Sequence, residues 1–216
     1  EKNAAMRAFG ARLIEHGEDF DAARMEAMRI AERDGFFFAP SFHRDLVLGV
    51  SSWALELFEA APGLDVLYVP IGLGSGICGA IMARDLLGLK TEIVGVQSEN
   101  APSYALSFKA GHVVETNSAD TKADGLATRI PDPAALAIIR GGASRIVTVS
   151  DDEIAEAMRA YWTDTHNLAE GAGASPLAAA MKERAQLKTR TVAVPLNGGN
   201  IDLALFKSWV LASTEK

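Results

Sequence analysis

The spacing of apolar residues changes character near residue 65. Upstream the period is helical. Ala5, Met6, Phe9, Leu13 and Ile14 predict a helix over residues 3–16. Phe20, Ala23, Met28, Ile30 and Ala31 predict a second over 20–34, stopped by Asp34-Gly35. Phe36-Phe37-Phe38 before Ala39-Pro40 reads as a short strand and turn, and residues 46–59 as a third helix closed by Ala61-Pro62-Gly63. Downstream, short apolar runs alternate with helical stretches. Val66-Leu67-Tyr68-Val69 (ended by Pro70), residues 91–96, 145–149 and 191–194 read as strands, the first two buried on both faces. Helical spacing occupies 77–87, about 101–110, 151–164 and 173–186. Ser150-Asp151-Asp152-Glu153 is a capping box, whose hydroxyl and carboxylate each satisfy an orphan N–H at a helix start. Residues 112–135 are the least regular stretch, and no repeat or low-complexity segment occurs. This alternation predicts an α/β fold: a mostly parallel sheet with helices on both faces.

Composition narrows the function classes. At 216 residues the chain suffices for one large domain, or one with a small appendage. The net charge is −7, with acidic and basic residues interspersed, so the electrostatic footprint of a nucleic-acid partner is missing. A single cysteine, Cys78, excludes an internal disulfide framework and a multi-cysteine metal site, and fits a cytoplasmic setting. No apolar run approaches the ~20 residues of a membrane span. The opening Glu1-Lys2-Asn3-Ala4 has neither a signal-peptide core nor an initiator Met, and predicts that the chain starts mid-protein.

The strongest chemical signal follows the Val66 strand. Gly72-Leu73-Gly74-Ser75-Gly76-Ile77-Cys78-Gly79 lies between a buried strand and a helix. There N–H groups converge, the helix terminus adds partial positive charge, and glycine admits a close anion. Three readings fit. One is a tight structural turn. A second is a dinucleotide fingerprint, since Gly74-x-Gly76-x-x-Gly79 has its spacing. That fingerprint wants a ribose-binding acid about 20 residues on, where this chain has Gln97, with Glu99 two residues later. The third is a phosphate cup.

Three further segments favour the cup. They are Asn3-Ala4-Ala5-Met6-Arg7-Ala8-Phe9-Gly10-Ala11, Glu170-Gly171-Ala172-Gly173-Ala174 and Asn197-Gly198-Gly199-Asn200-Ile201-Asp202. With Val69-Pro70-Ile71-Gly72, these segments and their order resemble the fold-type II enzymes dependent on pyridoxal 5'-phosphate (PLP), the fold of the tryptophan synthase beta subunit. The resemblance is nearest to threonine/serine dehydratases and serine racemases, and covers nearly the whole chain, aligned to their C-terminal two-thirds. It implies that the backbone N–H groups of Gly72, Leu73, Gly74, Ser75 and Gly76 hold the PLP phosphate. Leu73 and Ser75 depart from the family's consecutive glycines, which backbone donation tolerates if their φ stays negative; Ser75 adds a hydroxyl. Glu170 matches an acid near the cofactor ring, or is simply an acid favoured near a helix N-terminus. Asn197 matches the residue that contacts the pyridine nitrogen, where its amide can donate to an unprotonated ring nitrogen; it is otherwise a turn residue. Asp124-Gly125 matches a pair bordering the active site. Gln97 and Ser103 stand where some relatives place carboxylate ligands of a cation, so no metal is expected.

The resemblance also implies a Schiff-base lysine, upstream of everything in this chain. Ser107-Phe108-Lys109 echoes its motif, but follows the phosphate loop and lacks the Arg-Gly continuation, so Lys109 reads as a solvated helix lysine. A loop for the substrate carboxylate is also missing. The chain then reads as an inactive fragment with no catalytic residue of its own: 1–35 a remnant of an incomplete small domain, 36–216 the large PLP-binding domain. The implied activity is an ammonia-lyase that eliminates water from a hydroxy amino acid such as threonine or serine, giving a 2-oxo acid and ammonia. An amino-acid racemase of the same fold and a nicotinamide-dependent oxidoreductase are the alternatives, and a homodimer is the expected assembly.

Overall fold

The computed structural model describes residues 1–211; residues 212–216, the end of the expected large domain, lie outside the described residues. The chain divides into two units. One comprises Glu1–Pro40 and the segment from Ile201 on; the other is Ser41–Asn200.

In the first unit, helix α1 (Lys2–Ala8) is shorter than its apolar spacing predicts. Gly10 turns into the left-handed region (φ 83°), and residues 11–16 continue without helix. Helix α2 (Phe20–Asp34) has the predicted stop, with Gly35 left-handed at φ 71°. Its start is set by Asp19, whose carboxylate accepts the Ala22 N–H at 2.8 Å. The strand expected at Phe36-Phe37-Phe38 does not form. Among the described residues no strand pairs with it, and the phenylalanines instead border a cleft of about 250 Å³ beside Ile30 and Ala31.

The second unit is the α/β layer structure. In chain order it contains α3 (Arg44–Ala60), β1 (Val66–Pro70), α4 (Ser75–Leu86), β2 (Glu92–Ser98), α5 (Ser103–Ala110), α6 (Pro133–Gly142), β3 (Arg145–Val149), α7 (Asp151–Ala160), α8 (Gly171–Lys182) and β4 (Val192–Ala193). Strand order is β3-β2-β1-β4, with every pairing parallel. Right-handed crossovers fix the layers. The chain steps from β1 through α4 to β2, and on through α5 and α6 to β3, in one direction. It then returns through α7 and α8 to β4, which puts those two helices on the opposite face. Side chains of β1 divide accordingly. Leu67 and Val69 join the core formed with α3, α4 and α6, while Tyr68 points to the other face and its hydroxyl reaches Glu183 beyond α8 (2.6 Å). All of Val66 to Val69 is buried, as the uninterrupted apolar run predicts.

The apolar spacing predicts no element at α6, of which only Pro133–Ala135 fall in the irregular stretch, yet its start is well specified. Asp132 accepts the N–H groups of Ala134 and Ala135 (2.8 and 3.1 Å), and Pro133 takes the first turn. The predicted capping box opens α7, where Ser150 and Glu153 exchange hydrogen bonds. Beyond Ala160 that helix widens into a π turn (Tyr161–Thr165) and stops at His166, the one non-glycine residue with positive φ among the described residues. Among the described residues no helix is long and apolar enough to cross a membrane.

At the N-terminal ends of the strands, Arg145 joins Tyr68, Glu92 and Glu183. Its guanidinium donates to Glu183 at 2.6 Å and to Glu92, and Arg190 also bonds Glu92 at 2.6 Å. Burial alone would raise the Glu183 carboxyl, but hydrogen bonds from Arg145 and Tyr68 with the Arg145 charge outweigh it, and the net shift is downward from 4.5. The stability this confers is therefore present above about pH 4.5 and lost as pH falls through the depressed folded value. Arg145→Met is expected to lower the unfolding free energy by about 1–3 kcal/mol at neutral pH. In urea titrations the difference from wild type should shrink at acid pH; a constant difference would remove Glu183 as its source.

Candidate functional site

Strand order reverses between β1 and β4, so the chain leaves their C-terminal ends towards opposite faces of the sheet. A crevice opens at such a point. Here it is a cavity of about 550 Å³, bordered by residues 72–76 after β1, by Pro195, Leu196 and Asn197 after β4, by Gly125, and by Val50 and Trp53 of α3.

The glycine loop is shaped by backbone packing. Gly74 ends the loop and precedes α4 at φ 100°, where an L side chain is strained, and a methyl there would lie 3.0 Å from Ala135 Cβ. A methyl on Gly72 would lie 2.5 Å from the Gly125 carbonyl oxygen. Leu73 and Ser75 both keep negative φ, the condition under which their substitution for glycine leaves backbone donation intact. Ser75, Gly76 and Ile77 open α4, so their N–H groups have no acceptor within the helix. Together with the positive end of α4 they present an anion-binding surface.

The other motifs gather around the same opening through close backbone approaches. A methyl on Gly125 would meet Ala172 Cβ at 2.7 Å and Glu170 Oε1 at 4.0 Å. One on Gly173 would meet the Gly198 oxygen at 2.5 Å, and one on Gly199 the Leu168 oxygen at 2.6 Å. The Asn197-Gly198-Gly199-Asn200 turn thus lies directly on the N-terminal turn of α8, where the Glu170 N–H donates to the Gly198 carbonyl at 3.0 Å. Glu170 is half-buried at the start of α8 and its side chain makes no capping bond there. Its carboxylate lies against Gly198, where a methyl would come within 2.5 Å of Oε1. Gly72, Leu73, Gly74, Ser75, Gly76 and Asn197 therefore share one cavity, with Glu170 beside it. The Asn3–Ala11 motif lies in the other unit.

Several candidates point elsewhere. Gln97, where a dinucleotide fingerprint needs its acid, is fully buried and accepts the Ala105 N–H at 2.8 Å. Glu99 is bound by Lys182 at 3.0 Å. Neither borders the cavity, so the ribose contact of the dinucleotide reading is missing. Ser103 donates to the Thr128 carbonyl at 2.7 Å, which ties α5 to the irregular segment. Lys109 is exposed on the last turn of α5. Cys78 is buried one turn into α4, and burial, followed by the nearby Asp132 charge, pushes its thiol up to about 12, far from a nucleophile at neutral pH. Among the described residues, no lysine borders the cavity. Val50 and Trp53, three apart on one face of α3, supply an apolar wall that sequence reasoning missed; their helical spacing was visible, their destination was not.

The profile of one protein family, described as "Pyridoxal-phosphate dependent enzyme", matches residues 1–198. The chain belongs to this family. Within it, the chain is 33% identical over 198 residues to an L-threonine ammonia-lyase of Thermotoga maritima, covering 91% of this chain and 49% of that protein. It is 37% identical over 205 residues to an L-threonine ammonia-lyase of Geobacter sulfurreducens, covering 94% and 51%. It superposes with a TM-score of 0.89 on the processed form of threonine deaminase isoform 2 from Solanum lycopersicum, at 27% identity, covering 97% of this chain and 62% of that one. This family member thus spans about half the length of the two curated relatives.

The cavity also fits the family's cofactor on steric grounds. At Gly72 and Gly74 a Cβ would displace backbone or core, and Ser75 and Gly76, whose N–H groups have no acceptor within α4, border the cavity. Gly72→Ala is expected to cost about 1–3 kcal/mol, since the Gly125 carbonyl must retreat. Gly76→Ala meets nothing closer than Val69 at 4.0 Å and enters a first helical turn. It should leave stability unchanged or raise it by up to about 1 kcal/mol. Thermal unfolding of both variants checks this; equal effects would contradict the packing.

Proposed function

We propose that this chain carries the phosphate- and ring-holding part of a PLP-dependent ammonia-lyase of the threonine/serine dehydratase type. The reaction would eliminate water from a hydroxy amino acid to give a 2-oxo acid and ammonia. The observation that carries this reading is the convergence of the 72–76 loop, the Asn197 turn and the Glu170 helix start at the C-terminal ends of β1 and β4. Two curated relatives named L-threonine ammonia-lyases support the substrate class.

When bound, PLP supplies an electron sink for the α-carbon of an amino acid joined to its aldehyde. The chain's own residues supply the surroundings. Amides of the loop, the Ser75 hydroxyl and the α4 terminus neutralise the phosphate. Asn197 would hold the pyridine nitrogen through its N–H₂, which would leave that nitrogen unprotonated and moderate the sink, a setting suited to β-elimination. Glu170 would stand beside the ring, and Val50 and Trp53 would form an apolar wall against it. The lysine that bonds the aldehyde and moves the α-proton belongs in our reading to another part of the whole protein, as does the substrate-carboxylate loop. Residues 1–35 then belong to the small domain and 36–216 to the large one. The single buried cysteine supports a cytoplasmic setting, and pairing into a homodimer completes the proposal.

The intact protein, incubated with L-threonine and L-serine, is expected to release a 2-oxo acid, detected as its hydrazone, and to carry the visible absorbance of lysine-bound PLP. Racemised amino acid without 2-oxo acid would favour the racemase alternative. Retained NAD without that absorbance would overturn the PLP reading.

A further inference from the structure

Tyr104 occupies the second position of α5 and is fully buried behind the glycine loop. Its hydroxyl donates to the Leu73 carbonyl at 2.7 Å and accepts the Asp132 N–H at 2.9 Å. A methyl on Gly74 would lie 3.5 Å from this hydroxyl and 3.4 Å from Ile139 Cδ1, so the inner surface of the loop rests on Tyr104 and α6. The 73–74 peptide is trans, and in a planar trans unit the C=O and N–H point in opposite directions. With the Leu73 carbonyl drawn inward onto Tyr104, the Gly74 N–H of the same unit turns outward, to the side that borders the cavity.

A loop of this composition needs such a lock. Glycine populates positive and negative φ about equally, so the peptide before Gly74 has little intrinsic preference for which edge it shows. Rotated by half a turn, it would present a carbonyl oxygen to the anion, and attraction would become repulsion. A phenol suits the task because it is rigid, with two side-chain torsions, and its hydroxyl can donate and accept at once. The accepted Asp132 N–H fixes the hydroxyl from the α6 side, so its proton is left for Leu73.

We propose that Tyr104 is a positioning residue for the phosphate cradle, fixing the 73–74 peptide so that the Gly74 N–H faces the phosphate. This rests on the reading that the loop takes a phosphate. The test titrates the chain with PLP, inorganic phosphate and pyridoxal, which lacks the phosphate. Tyr104→Phe is expected to weaken PLP and inorganic phosphate about tenfold, the effect of losing one well-aimed donor to a charged group, and to leave pyridoxal unchanged. Arg145→Met, remote from the loop, controls for lowered stability and should bind all three as wild type does. In wild type the Gly74 amide resonance should shift on adding inorganic phosphate, a readout that does not depend on the variant folding. Unchanged PLP and phosphate binding in Tyr104→Phe, equal weakening of pyridoxal, or a stationary Gly74 amide would overturn the role of Tyr104 while leaving the loop assignment standing. A wild-type chain that binds neither PLP nor phosphate would overturn both.

Discussion

Backbone amides can hold an anion only where no side chain occupies the space and no internal acceptor claims the donors. That constraint organises the end of the sheet. The turn after β1 passes within a methyl group's reach of the Gly125 carbonyl, Gly125 lies equally close to Ala172, and Gly173 lies against Gly198. Each approach demands glycine or a very small residue. Together they draw four chain segments, distant in sequence, around one opening. Topology supplies the place: β1 and β4 are neighbours whose following segments depart to opposite faces, so the crevice exists before any functional residue is placed.

Rigidity comes from the layers beneath. Leu67, Val69, Ile71 and Ile77 anchor the strand and helix on either side of the loop in a core shared with α3 and α6. The charged groups Arg145, Glu92 and Glu183 sit at the opposite ends of the strands, where they join β2, β3 and the segment after α8 without adding charge to the cavity. The loop that we propose holds the phosphate and the ion pairs that join the strands are thus separated by the length of the strands. Proximity of the Arg145 cluster to the loop would have competed for the phosphate.

Much of this was legible in the sequence because it is local. An uninterrupted apolar run marked β1, a second buried run marked β2, Ser150 to Glu153 marked a helix start, and glycine spacing after Pro70 marked the loop that we propose holds an anion. The glycine pattern alone left two ligands open. Burial of Gln97 against α5 and pairing of Glu99 with Lys182 remove the acid that the dinucleotide reading requires. What was not legible depends on distant partners. Phe36-Phe37-Phe38 has strand composition but no strand among the described residues to pair with, and Gly10 ends α1 before its apolar spacing does. Helix α6 starts in the last residues of the irregular stretch and runs on through residues given no element, although Asp132-Pro133 is a helix start. Nothing in the 101–110 helical spacing singles out Tyr104; its proposed task depends on a carbonyl 31 residues earlier in the chain.

The central claim is that residues 72–76 are an anion cradle made of backbone. The most direct measurement is a crystal structure of this chain grown with PLP. The phosphate is expected within hydrogen-bonding distance of the amides of residues 72–76, with the pyridine ring towards Asn197. A phosphate bound elsewhere, with this loop facing solvent alone, would contradict the account.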